Sequence, residues 1–196
     1  MICTLGDAAN VRSGYPFRSG LTPDFDGTIA VVQGRDVEAD RLHFRPVGPL
    51  VRIMKEELRR VSEHFLQPGD VLLMARGPRN YAAVVEADIS DIGPAIAVGS
   101  FHIITPDQSK LVPLYLAWWL SQEAAQNHFR TSNTGTTIPM ISLDAVRLSP
   151  LQLPPLPVQQ RIADLSDLFA RERETADILH RERQHWLSLW ARQQSA

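Results

Sequence analysis

Three features of this 196-residue sequence predict an α+β fold: short β-branched apolar runs set between glycines and prolines, one proline-led apolar helix, and a final stretch of about 36 residues, Val158 to Gln193, with neither proline nor glycine. They predict a mixed globular module with a small β-sheet and packed helices over residues 1–153. A proline-rich linker and a long coiled-coil-like helix follow over residues 154–196. With 44% hydrophobic and 21% charged residues, the chain carries enough apolar surface to offset the entropy of ordering.

Taken in order, Leu5 to Asn10 suits one or two helical turns and runs into Arg12-Ser-Gly-Tyr-Pro-Phe-Arg18, where Gly14 and Pro16 enforce a loop. Thr28 to Gln33 is short and β-branched, which predicts a strand buried on both faces and ended by Gly34. Arg35 to Val47 and Val51 to Phe65 show no clean period and yield no assignment. Pro68-Gly69-Asp70 is a turn signal leading into Val71 to Ala75, and Ala82 to Val85 is a second apolar run, so two strands flank the loop Arg76 to Tyr81. Ala95 to Thr105 predicts a third strand, broken by Pro106-Asp107.

Pro113 then stands at the first turn of a helix reaching about Phe129, with Leu114, Leu116, Trp118, Leu120 and Ala124 as apolar contacts. Thr131 to Thr137 is too polar and too β-branched to continue it and reads as an exposed loop. Ile138 to Leu153 takes strand character at its end, and Pro150, Pro154, Pro155 and Pro157 mark the boundary before the final element. Fully helical, that element spans roughly 54 Å. Steps of three and four from Ile162 reach Leu165, Phe169, Glu172, Ala176, Leu179, Arg183, Trp186 and Trp190, and seven of the nine positions are apolar. This is the spacing of a coiled-coil seam for a partner helix, in which the two polar positions set register. Leu168, Ile178, Leu187 and Leu189 leave open a helix folded back on its own domain.

Composition narrows the function classes. Cys3 is the lone cysteine, which excludes an internal disulfide and a thiolate zinc site built from one chain. There is no apolar run of about 18 residues or more, and Met1 to Asp7 lacks a secretory signal, so a cytoplasmic protein without a membrane partner is expected. A net charge of −2 runs against nucleic-acid binding. Arginine nevertheless outnumbers lysine 18 to 2, and its planar fork suits phosphate or a guanine edge; a GC-rich genome accounts equally well for the bias. His43, His64, His102, His128, His180 and His185 are scattered, and the last two stand five apart, off the same-face spacing of a metal pair. No nucleophile with a base, nuclease-type acidic cluster or glycine-rich phosphate loop occurs, so neither catalysis nor a metal or cofactor is expected of this chain.

Four segments, in order, resemble the target-recognition module and spacer helix of type I restriction-modification specificity subunits. They are Leu5-Gly-Asp through Ser13-Gly-Tyr-Pro-Phe17; Leu66-Gln-Pro-Gly-Asp-Val-Leu-Leu73; Tyr115-Leu-Ala-Trp-Trp-Leu-Ser121 with Gly135-Thr-Thr-Ile-Pro139 and Ile141-Ser142; and Leu153-Pro-Pro-Leu-Pro-Val-Gln-Gln-Arg-Ile162. Gln159 departs from the glutamate usual in the family, and this chain has one module and one spacer helix where members usually carry two of each. The resemblance implies a half-subunit that binds double-stranded DNA and directs a methyltransferase subunit, which holds S-adenosylmethionine, with a nuclease/translocase subunit joining. It also implies a homodimer through the C-terminal helix. The alternative is an interaction or regulatory half-module that docks on the methyltransferase without binding DNA.

Base edges are read by loops carrying arginine, amide and hydroxyl side chains. The first candidate loop offers Arg76 and Arg79 for guanine or phosphate, Asn80 for adenine, and Tyr81; the second offers Arg130, Ser132, Asn133, Thr134, Thr136 and Thr137 for phosphate oxygens and thymine methyls. Arg12, Tyr15 and Arg18 form a third candidate, in which Tyr15 and Phe17 serve equally well as core. The candidate partner-helix contacts are Ile162, Leu165, Phe169, Ala176, Leu179, Trp186 and Trp190.

Overall fold

A computed structural model describes residues 2–17, 20–39, 41–46, 48–55, 58–77, 79–132 and 139–194. In chain order the strands are β1 (Ile2–Thr4), β2 (Ala9–Ser13), β3 (Ile29–Val32), β4 (His43–Phe44), β5 (Val51–Ile53), β6 (Val71–Met74), β7 (Ala82–Val85), β8 (Ala95–Ala97), β9 (Phe101–Pro106) and β10 (Pro150–Gln152). The helices are α1 (Ile89–Ile92), α2 (Pro113–Leu120), α3 (Glu123–Ser132), α4 (Leu143–Arg147) and α5 (Leu156–Gln194). The fold is α+β: a five-stranded sheet in the order β2-β9-β6-β7-β4, a three-stranded sheet in the order β5-β3-β8, and a two-stranded β1-β10 ribbon.

The apolar runs are explained by layering. In β6 alternate side chains point to opposite faces: Val71 and Leu73 join the core under α2 and α3 with Tyr115, Leu116 and Phe129, while Leu72 and Met74 join Val32, Phe44 and Phe101 between the two sheets. A strand covered on both faces needs no polar residue, which is why Val71–Met74 reads as a continuous apolar run. β3 follows the same rule, with Ala30 and Val32 facing the large sheet and Ile29 and Val31 packing under Tyr15, Phe17 and Phe65.

The structure departs from the sequence expectations at four places. The predicted helix at Leu5 to Asn10 is a single 3₁₀ turn, Leu5–Asp7, and the chain then enters β2, placing Arg12 within a strand. The predicted strand Ala95 to Thr105 is two strands in different sheets, because the chain turns at Val98 to Phe101 with a 3.0 Å backbone hydrogen bond. The helix from Pro113 breaks at Ser121-Gln122, where Ser121 Oγ and Gln122 Nε2 both donate to the Trp118 carbonyl; α3 then continues through Thr131 and Ser132. Within Ile138 to Leu153, a short helix, α4, capped by Ser142 precedes β10.

The first half of α5 packs on the α/β head, and the second half projects from it. Gln159 is completely buried: its Oε1 accepts from Val112 N at 3.0 Å, and its Nε2 donates to the carbonyls of Lys110 at 2.9 Å and Pro154 at 2.8 Å. A carboxylate offers no donor to those carbonyls, so glutamine at this position suits this chain's anchor. Ala163 is also fully buried and Ile162 packs against the same core, so Ile162 belongs to the head contact and the outward seam starts at Leu165. From Thr175 to Arg192 every residue is exposed. Among the described residues no helix is long and apolar enough to cross a membrane.

Candidate nucleic-acid interface

The first candidate loop leaves one end of the five-stranded sheet, where the chain beyond residue 138 meets it. After β6, Ala75 and Gly77 pair with the chain beyond residue 138: Gly77 N donates to Pro139 O at 3.0 Å, Ile141 N to Ala75 O at 2.9 Å, and Arg76 and Met140 form a β-bridge. Gly77 sits at φ +127, a conformation that favours glycine and lets the tip turn here. The third candidate segment arrives at the same end. Ala75 N donates to Ser100 O, Gly14 N to Phe101 O and Tyr15 N to Ala97 O, at 2.9, 2.9 and 2.7 Å. A Cβ on Gly14 would lie 2.2 Å from the Val98 carbonyl oxygen, so only glycine permits this approach.

The individual side chains differ in exposure. Arg76 and Arg79 are exposed on the loop tip, and Arg130 is exposed in the last turn of α3, where it bonds Asn127. Asn80, expected to face adenine, is buried: its Nδ2 donates to Met74 O at 2.9 Å, which takes its amide into the loop's own structure. Tyr81 is half-buried, with its hydroxyl donating to Gly34 O at 3.3 Å, and burial raises its phenol above the usual range. Arg12 is held by Asp70 Oδ2 at 3.0 Å and Phe65 O at 3.0 Å. Asp70 is itself 1% exposed and also accepts from Thr105 Oγ1 at 2.5 Å. This partly buried ion pair organises β2, β6 and β9 and leaves Arg12 little freedom to reach a ligand.

Tyr15 stacks edge-on with Phe17 and His64, and its hydroxyl accepts from Arg59 N, so it covers the small sheet. Ser132 closes α3 and is half-buried. Arg18, Asn133, Thr134, Thr136 and Thr137 lie outside the described residues.

His102 braces the loop cluster from beneath. It is 2% exposed, and its Nε2 donates to Ile141 O at 2.7 Å, tying the segment after residue 138 to β9. Burial depresses its basicity more than that hydrogen bond restores it, and Arg147 depresses it further.

Sequence reasoning missed the contacts between head and arm. Arg41 bonds Glu38 and, at 2.5 Å, Glu174 of α5. His43 lies between Glu86 and Asp167, reaching the latter with Nε2 at 2.8 Å, and Asp167 also meets Arg171 at 2.6 Å. Desolvation pushes the Asp167 carboxyl up, but hydrogen bonds from Arg171 and His43 outweigh it and hold the group below its ordinary value. Beside these bonds lies a cleft of about 360 Å³, lined by Arg79, Tyr81, Trp118 and Gln122 from the head and Phe169 and Arg173 from the arm. Arg41 and His43 stand in a stretch without periodicity, so their partners 120 or more positions away left no trace in the sequence pattern. Among the described residues no group of three or more histidine, cysteine or acidic side chains is placed to hold a metal ion.

An α+β head that gathers chain turns at one sheet end, and carries a half-anchored helix with exposed apolar side chains, defines a binding module on an arm. The chain belongs to the family described as "Type I restriction modification DNA specificity domain", which matches residues 1–180. Its fold is similar to that of a chain from work on complex assembly and conformational transition of the type I R-M system, with TM-score 0.67, 19% identity, and coverage of 96% of this chain and 42% of that one. It is also similar to the HsdS subunit from Thermoanaerobacter tengcongensis, with TM-score 0.57, 20% identity, and coverage of 90% and 38%. The type I restriction-modification S subunit from M. genitalium gives TM-score 0.58, 14% identity, and coverage of 94% and 42%. This chain thus spans about two fifths of each of those chains. No curated protein matches its sequence.

Proposed function

We propose that residues 1–153 read double-stranded DNA and that residues 154–196 join this reader to the rest of a type I restriction-modification complex. In that complex the chain is non-catalytic. It supplies the address, while a methyltransferase subunit with its S-adenosylmethionine supplies the modification and a nuclease/translocase subunit supplies cleavage. A second half-subunit, joined through α5, completes the pair of modules. Two identical modules related by a two-fold axis call for a palindromic target with a gap that neither module reads.

The observation that carries this reading is the convergence of Arg76, Gly77 and the segment Pro139 to Ile141 on one end of the central sheet, with Arg76 and Arg79 exposed. Rigid strand ends holding forked cations at one edge suit groove contacts, in which phosphate bonds position the module and base-edge bonds specify sequence. Sequencing of methylated bases in the source cell, with and without this gene, tests it. The expected result is loss of one bipartite methylated motif; an unchanged methylation pattern contradicts the proposal.

The net charge of −2 favours a second reading, a half-module that docks on the methyltransferase and leaves DNA alone. A gel-shift assay of the reconstituted complex on random duplexes separates the two, since only the DNA reader retards them.

A further inference from the structure

The cleft between head and arm has the charge and the walls of a small-molecule site. It holds about 360 Å³, within the range of roughly 300–1,000 Å³ that such sites occupy. The guanidinium groups of Arg41, Arg79 and Arg173 line it, and among the described residues no carboxylate does. This local surplus of positive charge stands on a chain whose net charge is −2. Its apolar walls are aromatic rings: Tyr81 and Trp118 from the head, and Phe169, 58% exposed, from the arm.

The head's side of the cleft is firmly built. Tyr81 is held by its hydroxyl bond to Gly34 O at 3.3 Å. Trp118 packs on Tyr115 and Trp119, with ring centroids 5.5 and 6.3 Å away, and Ser121 and Gln122 close the turn on its carbonyl. Gln126 Nε2 donates to Asn80 O at 2.8 Å and to Leu120 O at 2.6 Å, which braces the loop wall against α2. The cations differ in their commitments. Arg41 is paired with Glu38 and Glu174. On the arm, Arg171 takes Asp167, whereas none of the ion pairs among the described residues uses Arg173. The groove continues past Arg41 and Arg173, but there Glu38, Glu174 and Asp177 join its lining. An anion is therefore drawn to the inner cleft and opposed farther out.

We infer that this cleft binds a single free nucleotide, its base against the rings of Trp118 and Phe169 and its phosphate on Arg79 and Arg173. Aromatic faces stack on any base, and a guanidinium fork pairs two phosphate oxygens at once. Ligands with half of this chemistry use half of the cleft. Inorganic phosphate or an acidic peptide leaves the rings uncovered, and a nucleoside leaves the arginines without an anion. A continuous strand would set its next phosphate beside Glu174 and Asp177, so the cleft suits one nucleotide and not a chain. Arg79 and Tyr81 belong to the first candidate DNA loop and Arg173 to the arm. A bound nucleotide bridges the two and, where the DNA reading proposed above holds, is placed to tune it.

Isothermal titration calorimetry of the full-length chain, with dAMP as the probe, tests the site. dAMP should bind with a submillimolar Kd, about tenfold more tightly than deoxyadenosine or inorganic phosphate. A single-stranded tetramer of the same nucleotide should bind no more tightly than dAMP. Arg173→Gln, on an exposed helix face, should weaken dAMP about tenfold and leave deoxyadenosine unchanged, whereas Phe169→Ala should weaken both. Arg192→Gln, in the last turn of the same helix, should change neither. The inference is overturned by a chain that takes up no dAMP, or by phosphate or tetraglutamate binding as tightly as dAMP. Tighter binding of the tetramer, or an Arg173→Gln chain that binds dAMP as the wild type does, overturns it equally. Duplex binding by the chain with its methyltransferase is a separate readout, so failure of the nucleotide site leaves the DNA reading standing, and failure of the DNA reading leaves the site.

Discussion

The two halves of α5 belong to one unbroken helix, yet opposite physics governs them. In the first half, Gln159 and Ala163 are wholly buried, and Asp167 and Glu174 bond to His43 and Arg41 of the head. In the second half, from Thr175 to Arg192, every residue is exposed, with two tryptophans among them. The difference shows that tertiary contact fixes the helix at its root and leaves its tip exposed. The first half answers to the stability of the head, and the second, under the function proposed above, answers to assembly.

The largest expected effect is at the root. Gln159→Leu leaves Val112 N and the carbonyls of Lys110 and Pro154 without their partner, so urea denaturation should show a loss of about 3 kcal/mol. The same contrast runs through the arginines of the head. Arg12→Ala strands the buried Asp70 carboxylate and should lower stability by about 2 kcal/mol. Arg76→Ala, at an exposed tip, should leave stability within about 0.5 kcal/mol while weakening specific DNA binding about tenfold. Thermal melts and fluorescence anisotropy on the methylated motif check both halves of that prediction.

A smaller effect concerns pH. Because His102 is less basic in the fold than in the unfolded chain, the unfolded state binds its proton first as the solution acidifies. Its contribution to stability is therefore complete above an unfolded value of about 6.5 and is lost as pH falls from there through the lower folded value. Stability of the wild type should decline over that window, and His102→Gln should decline less. The smallest effect is at the tip of the arm. Trp186→Ala should leave the melting of the head unchanged, within about 0.5 kcal/mol measured at a concentration where the chain is monomeric, although it removes a large side chain.

How far the sequence reveals this follows from the range of each interaction. β3, β6, β7 and α5 are legible because burial on two faces, or the absence of any helix breaker, leaves a local pattern. β2 is not, because Ala9-Asn-Val-Arg-Ser13 looks mixed until Asp70, 58 positions away from Arg12, supplies the partner for its charge. The break between α2 and α3 depends on two side chains capping one carbonyl, and α4 is too short for periodicity to register. At the candidate interface, loop positions are readable from glycine and proline, but the fate of each side chain is not. Asn80 and Arg76 look equally available in the sequence, and only the fold turns one inward and the other outward. Gln159 shows the converse: a departure from the family's usual residue coincides with the best-satisfied buried amide of the arm.

The central claim is that the loop cluster at the end of the five-stranded sheet reads a DNA sequence. Selection of binding sites from a random duplex pool by the chain assembled with its methyltransferase tests this most directly. Enrichment of one gapped palindrome, lost in Arg76→Ala, is the predicted result. Retention of duplexes with no shared sequence, or no retention at all, would contradict it.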